Sequence, residues 1–136
     1  MSVNLLDAQG RIVESRQPSV ALVPGVVAGV VNPGVRYTEY YTAGSSNASC
    51  QNNTWIGLLC RTTDGALGAN QSPIVTSYTY DSSLRPIQVV TTTGTATRTA
   101  TTTYGTNALS QFPVTSTITE AGSTITTNYT YTTAGL

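Results

Sequence analysis

Along the second half of the chain, apolar residues stand singly among threonines and serines. In "VTSTITEAGSTITTNYTY", Val114, Ile118 and Ile125 are isolated in this way around Glu120-Ala121-Gly122. That is the pattern of strands with one face covered and the other wet. "PIQVVTTTGTATRTATTTY" repeats the design around Thr93-Gly94-Thr95, a short glycine-containing connection between two β-prone runs. No window sets apolar residues at i, i+3, i+4 and i+7, so essentially no helix is expected. The most apolar stretch, "VALVPGVVAGVVNPGV" over 20–35, is cut by Pro24-Gly25 and Pro33-Gly34. Each Pro-Gly pair favours a type II turn, which predicts short buried strands between turns. The stretch is too short to span a bilayer, and no membrane insertion is expected. The pattern predicts an all-β fold, an array of antiparallel β-hairpins making one long twisted sheet.

The turns themselves repeat. "LDAQGRIVESR" begins at Leu6, "YDSSLRPIQVV" at Tyr80, "YGTNALSQFPV" at Tyr104 and "YTTAGL" at Tyr131. Each opens on a large apolar or aromatic residue, makes a tight turn and, where the chain continues, returns as a strand. The three tyrosine-headed copies start roughly 25 residues apart, a spacing typical of repeat arrays in which neighbours cover one another. Asp7 and Asp81 can accept from backbone N–H groups two residues on, as in an Asx-turn. Gly10 and Gly135 suit the positive φ that such turns require. One continuous domain is expected in three stretches. Residues 1–36 hold the first repeat and the apolar strands, 37–74 a Tyr-rich strand and a cysteine loop, and 75–136 the Thr-rich hairpins.

Composition narrows the chemistry. Net charge is zero, all six basic residues are Arg, and there is no Lys or His. Six scattered arginines balanced by six acids do not form a basic patch, so nucleic acid is not an expected partner. Without Lys there is no phosphate-binding P-loop, and without His the usual triads and zinc sites go too. The carboxylates Asp7, Glu14, Glu39, Asp64, Asp81 and Glu120 fall mostly in turns or beside an Arg, where capping or solvated roles are the plainer account. A glycosidase would need two of them facing each other across an open cleft, within roughly 10 Å. No catalytic residue, metal ligand or cofactor site is expected.

Cys50 and Cys60 enclose "QNNTWIGLL". The spacing suits neither a redox Cys-x-x-Cys nor a two-Cys zinc knuckle. The plainer reading is a structural disulfide in an exported protein, with Trp55 as the packing anchor of the loop. Sequons at Asn47, Asn52, Asn70 and Asn128 are candidate glycosylation sites. The tyrosines at 37, 40, 41, 78, 80, 104, 129 and 131 suit packing of repeat on repeat, or else an aromatic platform for a glycan.

"YDSSLRP" and "LDAQGR" resemble the Tyr-Asp repeat of bacterial RHS proteins, roughly Tyr-Asp-x-x-Gly-Arg followed by an apolar strand. The block from Arg36 to Asp81, with Tyr-Tyr-Thr-Ala-Gly, two cysteines and Trp-x-Gly-Leu, is similar to a segment found between such repeats. In this chain the motif falls on Asp7, Gly10, Arg11, Tyr80, Asp81, Arg85, Tyr104, Tyr131 and Gly135. Leu84 stands where the family has Gly, and Gly105 and Thr132 stand where it has Asp. The resemblance implies a non-catalytic, extracellular or cell-surface β-sheet shell, whose partners are neighbouring repeats. The self-cleaving motif that ends such shells is absent, and the sequence stops within a repeat at "YTTAGL". The chain is therefore expected to be a shell segment or a self-associating subunit. The uncharged, Pro-free runs Thr115–Thr119 and Ser123–Thr127 favour a filament built by edge pairing. A carbohydrate-binding adhesin module is the rival from another class.

Overall fold

The computed structural model describes residues 3–16, 34–65, 72–106 and 109–132. The nine strands are β1 (Val3–Leu6), β2 (Ile12–Arg16), β3 (Val35–Tyr40), β4 (Leu59–Asp64), β5 (Ile74–Tyr80), β6 (Pro86–Thr93), β7 (Ala96–Tyr104), β8 (Pro113–Glu120) and β9 (Ser123–Asn128). They form one antiparallel sheet in unbroken sequence order. The all-β expectation holds, with a short 3₁₀ turn at Ala48–Cys50. Among them no helix is long and apolar enough to cross a membrane. The strands expected over 20–35 lie outside the described residues, except that Val35 opens β3 as a buried residue.

Thr and other β-branched residues suit a pleated, half-covered surface, and the register shows how the two faces divide. Tyr78, Val89, Ala100, Ile118 and Ile125 line up as one apolar column across β5 to β9. The columns beside it are hydroxyl-rich: Ser77, Val90, Thr99, Thr119 and Thr124 on one side, Thr79, Gln88, Thr101, Thr117 and Thr126 on the other. Adjacent columns lie on opposite faces because side chains alternate along a strand. Threonine pairs across strands add hydroxyl hydrogen bonds, with Thr119 and Thr124 at 3.0 Å and Thr117 and Thr126 at 3.4 Å.

Very little of this sheet is buried. Among the described residues the buried hydrophobics are Val35, Tyr41, Cys50 and Cys60, joined by Thr63. All strand residues of β1 and β9, the two sheet edges, are exposed. The buried cluster among the described residues is local: Tyr41, Cys50 and Cys60, with Trp55, Leu58 and Tyr80 packed against it. The core therefore sits at one rim of the sheet, beneath the cysteine loop.

The two rims are built differently. On one, β6 turns into β7 through Gly94-Thr95 and β8 into β9 through Ala121-Gly122. Gly94 has φ of 59°, while Ala121 and Gly122 are both positive at 49° and 80°. These are the two-residue turns whose twist matches that of the strands. The other rim carries longer turns over residues 7–11, 41–58, 81–85 and 105–112.

Candidate functional site

All four turns of the second rim close in the same way. The residue after the strand donates its N–H to the carbonyl just before the return strand: Asp7 to Arg11, Tyr41 to Leu58, Asp81 to Arg85 and Gly105 to Phe112, at 2.8–3.0 Å. One residue earlier each ladder shifts register, at Leu6, Tyr40, Tyr80 and Tyr104. The extra residue falls on the return strand, at Val13, Cys60, Ile87 and Val114, as in a β-bulge. Turns of very different length thus share one closing geometry.

The two Asp-Arg turns are near copies. Asp7 Oδ1 accepts the N–H groups of Gln9 and Arg11 at 2.9 Å, and Asp81 Oδ1 accepts those of Ser83 and Arg85 at 2.9 Å. Each Oδ2 accepts Nε of its Arg at 2.7 Å. These donors hold both carboxyls below the usual Asp range. The Arg11 N–H is the largest cause for Asp7, and the Arg85 side chain for Asp81. Gly10 has φ of 77°, and Leu84 occupies the same place at 63°. The departure from glycine at Leu84 leaves the turn intact, held in the left-handed region by its hydrogen bonds.

The arginines also join one turn to the next. Arg11 stacks over the Tyr40 ring at 4.1 Å and reaches the Gly57 carbonyl at 3.4 Å. Arg85 stacks over Tyr104 at 4.3 Å and donates to the Ser110 carbonyl. In the next copy Phe112 takes the Arg position and packs on Tyr131 at 5.1 Å. Each tyrosine hydroxyl then donates to the first carbonyl of the preceding return strand. Tyr40 reaches Ile12 at 3.3 Å, Tyr80 reaches Leu59 at 2.9 Å, Tyr104 reaches Pro86 at 3.0 Å and Tyr131 reaches Pro113 at 2.6 Å. Gly105 and Thr132 lack the carboxylate, yet the tyrosine contacts on either side persist.

The 41–58 turn carries the cysteine loop. Cys50 and Cys60 form a disulfide with Cα atoms 5.6 Å apart. Trp55, Tyr41 and Tyr80 meet edge to face at 5.0–6.3 Å, and the Tyr41 hydroxyl donates to the Tyr78 carbonyl at 2.7 Å. Burial raises the Tyr41 and Tyr80 phenols above their usual pKa. Asn47 caps the 3₁₀ turn through Ser49 N–H, and its amide donates to Glu39 at 3.2 Å. Asn52 accepts from Thr54 and Trp55, and Asn128 is exposed on β9. Asn70 and Gly135 lie outside the described residues.

Open clefts flank the stacked Arg-Tyr pairs. One, of about 660 Å³, lies beside Arg11 and Tyr40, and two, of about 350 Å³ and about 560 Å³, lie beside Arg85 and Tyr104. Glu14 and Glu39 both line the first. Glu14 pairs with Tyr37 and Glu39 is two residues along, a diagonal of roughly 7–8 Å between backbones. Each already faces a guanidinium, Glu14 that of Arg16 and Glu39 that of Arg61. A general acid needs the opposite surroundings, apolar or beside like charge. Asp64 pairs with Arg36 at 2.5 Å, and Glu120 is the register partner of Arg98. Among the described residues no group of three or more Cys, Asp or Glu side chains gathers to hold a metal.

The sequence pattern named Tyr41 only among the packing tyrosines, and it missed Phe112, the apolar bulge residues and the second role of Arg11 and Arg85. The signal for Phe112 was present, since Phe112-Pro113-Val114 parallels Arg85-Pro86-Ile87. Comparison of the chain with protein families, curated proteins and solved structures finds no match.

Proposed function

We propose that the chain is a non-catalytic structural β-repeat protein of the RHS, or Tyr-Asp repeat, type, building an extracellular β-sheet shell or fibre through strand pairing. The observation that carries this reading is that the described residues form one sheet in strict sequence order, with β1 and β9 exposed and few residues buried among them. A sheet with one unshielded layer gains stability by adding strands, because each new strand covers edge N–H and carbonyl groups. Charge does little to oppose such addition. β1 and β9 contain no charged residue, and Ile125 on β9 is 70% exposed.

The rim supports repetition. Three of the four turns present an Arg or Phe to the tyrosine of the next, and the cysteine loop presents Trp55 to Tyr80, so a residue stacked on the next tyrosine joins every pair of units. Pairing of β9 in one copy with β1 in another is heterologous and does not close by itself, which leads to filaments. A disulfide and the candidate sequons at Asn47 and Asn52 fit an oxidising, extracellular setting.

Sedimentation over a wide concentration range, with negative-stain electron microscopy, tests the reading. The expected result is concentration-dependent assembly into ordered sheets or fibres, suppressed by Ile125→Lys, which places a charge on the open edge. A monodisperse monomer at high concentration, with no ordered particles, would overturn it.

A further inference from the structure

We propose that β9 is the docking edge for a second copy of this chain, the two β9 strands pairing antiparallel about a two-fold axis at Ile125. Such a dimer rests on the strand-pairing function proposed for the chain, and it adds which edge is used and by which partner.

Strand direction decides the partner. Every neighbouring pair is antiparallel and the strands follow sequence order, so β1 and β9, the first and the ninth, run the same way. Addition of β1 from another copy to β9 then takes one of two forms. With both sheets facing the same way the new ladder is parallel, which is less stable per residue. With the new ladder antiparallel the second sheet is turned over, and its apolar column lies on the opposite face. Pairing of β9 with β9 avoids both, because a two-fold axis perpendicular to the sheet reverses the strand and keeps the faces. β1 has the same symmetry open to it but spans four residues, against six in β9.

The β8–β9 hairpin sets the register. The Tyr129 N–H donates to the Val114 carbonyl, one step beyond the Thr115 and Asn128 pair. Bonded and non-bonded pairs alternate along an antiparallel ladder, so Ser123, Ile125 and Thr127 turn their main-chain groups toward β8. Thr124 and Thr126 turn theirs to the open edge. Thr124 of each copy can therefore exchange hydrogen bonds with Thr126 of the other. Between them Ile125 meets Ile125 in a non-bonded pair, the closer kind, with Cα atoms about 4.5 Å apart. Ile125 is the most exposed large hydrophobic among the described residues. Its column, Tyr78, Val89, Ala100, Ile118 and Ile125, then runs on into the second copy. Cross-strand pairs of β-branched residues stabilise a ladder, and no charge on β9 opposes self-pairing. The joined sheet carries β1 at both ends, where further copies can add.

The test is a mixing experiment on the intact, oxidised chain, read by sedimentation velocity. The unaltered chain is expected to dimerise with rising concentration. Ile125→Lys and Ile125→Glu should each weaken dimerisation by about tenfold or more, because self-pairing sets like charges directly opposite. An equimolar mixture should restore a dimer with one copy of each. If either variant does not fold, as judged by its thermal melt, Ile125→Cys takes their place. Mild oxidation should then cross-link Ile125→Cys about tenfold or more faster than Ser123→Cys, which faces Thr127 of the second copy and is out of disulfide reach of itself. Association of the unaltered chain with no effect of either charge, no rescue on mixing, or equal cross-linking at the two positions would overturn β9 self-pairing and leave strand addition standing. A chain that stays monomeric at high concentration would overturn both.

Discussion

The segment from β3 to β4 and the segment from β7 to β9 belong to one sheet but are held by different forces. In the first, a disulfide and the Trp55 ring, joined edge-on by Tyr80 of β5, bury Tyr41, Cys50 and Cys60. In the second, among the described residues, no side chain is fully buried, and ladder hydrogen bonds with threonine pairs carry the structure. A clasped loop makes its own core at a rim. A threonine sheet has no such resource and gains most from a neighbour against its face or edge. The contrast teaches that the repeat supplies geometry, whereas the inserted loop supplies local stability.

The contrast is broken most severely at Tyr41. Tyr41→Ala should lower unfolding free energy by about 3–5 kcal/mol, because it removes a buried ring and leaves a cavity under Trp55. Denaturant titration with tryptophan fluorescence reads both the loss and the release of the ring. Replacing both cysteines by serine should lower stability by about 2.5–3 kcal/mol, from the loop-closure term for a short loop. Its thermal midpoint should fall, while the circular dichroism of the threonine strands is retained below the transition.

Acid sharpens the comparison at the turns. Asp7 and Asp81 have folded pKa values below the unfolded value, so their contribution is present above about pH 4. It is lost as pH falls through the lowered folded values. Stability measured from pH 7 to pH 2 should therefore drop at the acid end, and Asp81→Asn should reduce the size of that drop. Leu84→Gly should be neutral or stabilising by up to about 1 kcal/mol, since it relieves a left-handed leucine. Smallest of all, Thr117→Ala should change monomer stability by no more than about 0.5 kcal/mol, as measured in a thermal melt. A larger loss there would mean that the hydroxyl ladder, rather than the backbone, holds the second segment together.

Much of the sheet was legible before any coordinates. Val114, Ile118 and Ile125 in a threonine background predicted half-covered strands, and β8 and β9 contain them. Thr93-Gly94-Thr95 and Glu120-Ala121-Gly122 marked turns that the sheet uses. A disulfide was the plainer of two readings of Cys50 and Cys60 from their spacing, and the two are bonded. The stacks were not legible: Tyr37 looks like Tyr40 in sequence, and only the structure sets Arg11 over the Tyr40 ring and the Tyr40 hydroxyl against the Ile12 carbonyl.

Local chemistry is what the sequence determined by itself. Period-two alternation, Asx-forming aspartates and glycine turns act over a few residues, so they can be read from a few residues. The tertiary structure decided everything that spans a turn. It placed Arg11 over Tyr40 and Arg85 over Tyr104, let Phe112 replace an arginine, and kept Leu84 in a glycine conformation. It also decided that the nine strands of the described residues pair in sequence order, with β1 and β9 exposed at the ends. Those outcomes depend on register and on contacts between segments far apart in the chain, which a local likeness such as Phe112-Pro113-Val114 to Arg85-Pro86-Ile87 marks but does not fix.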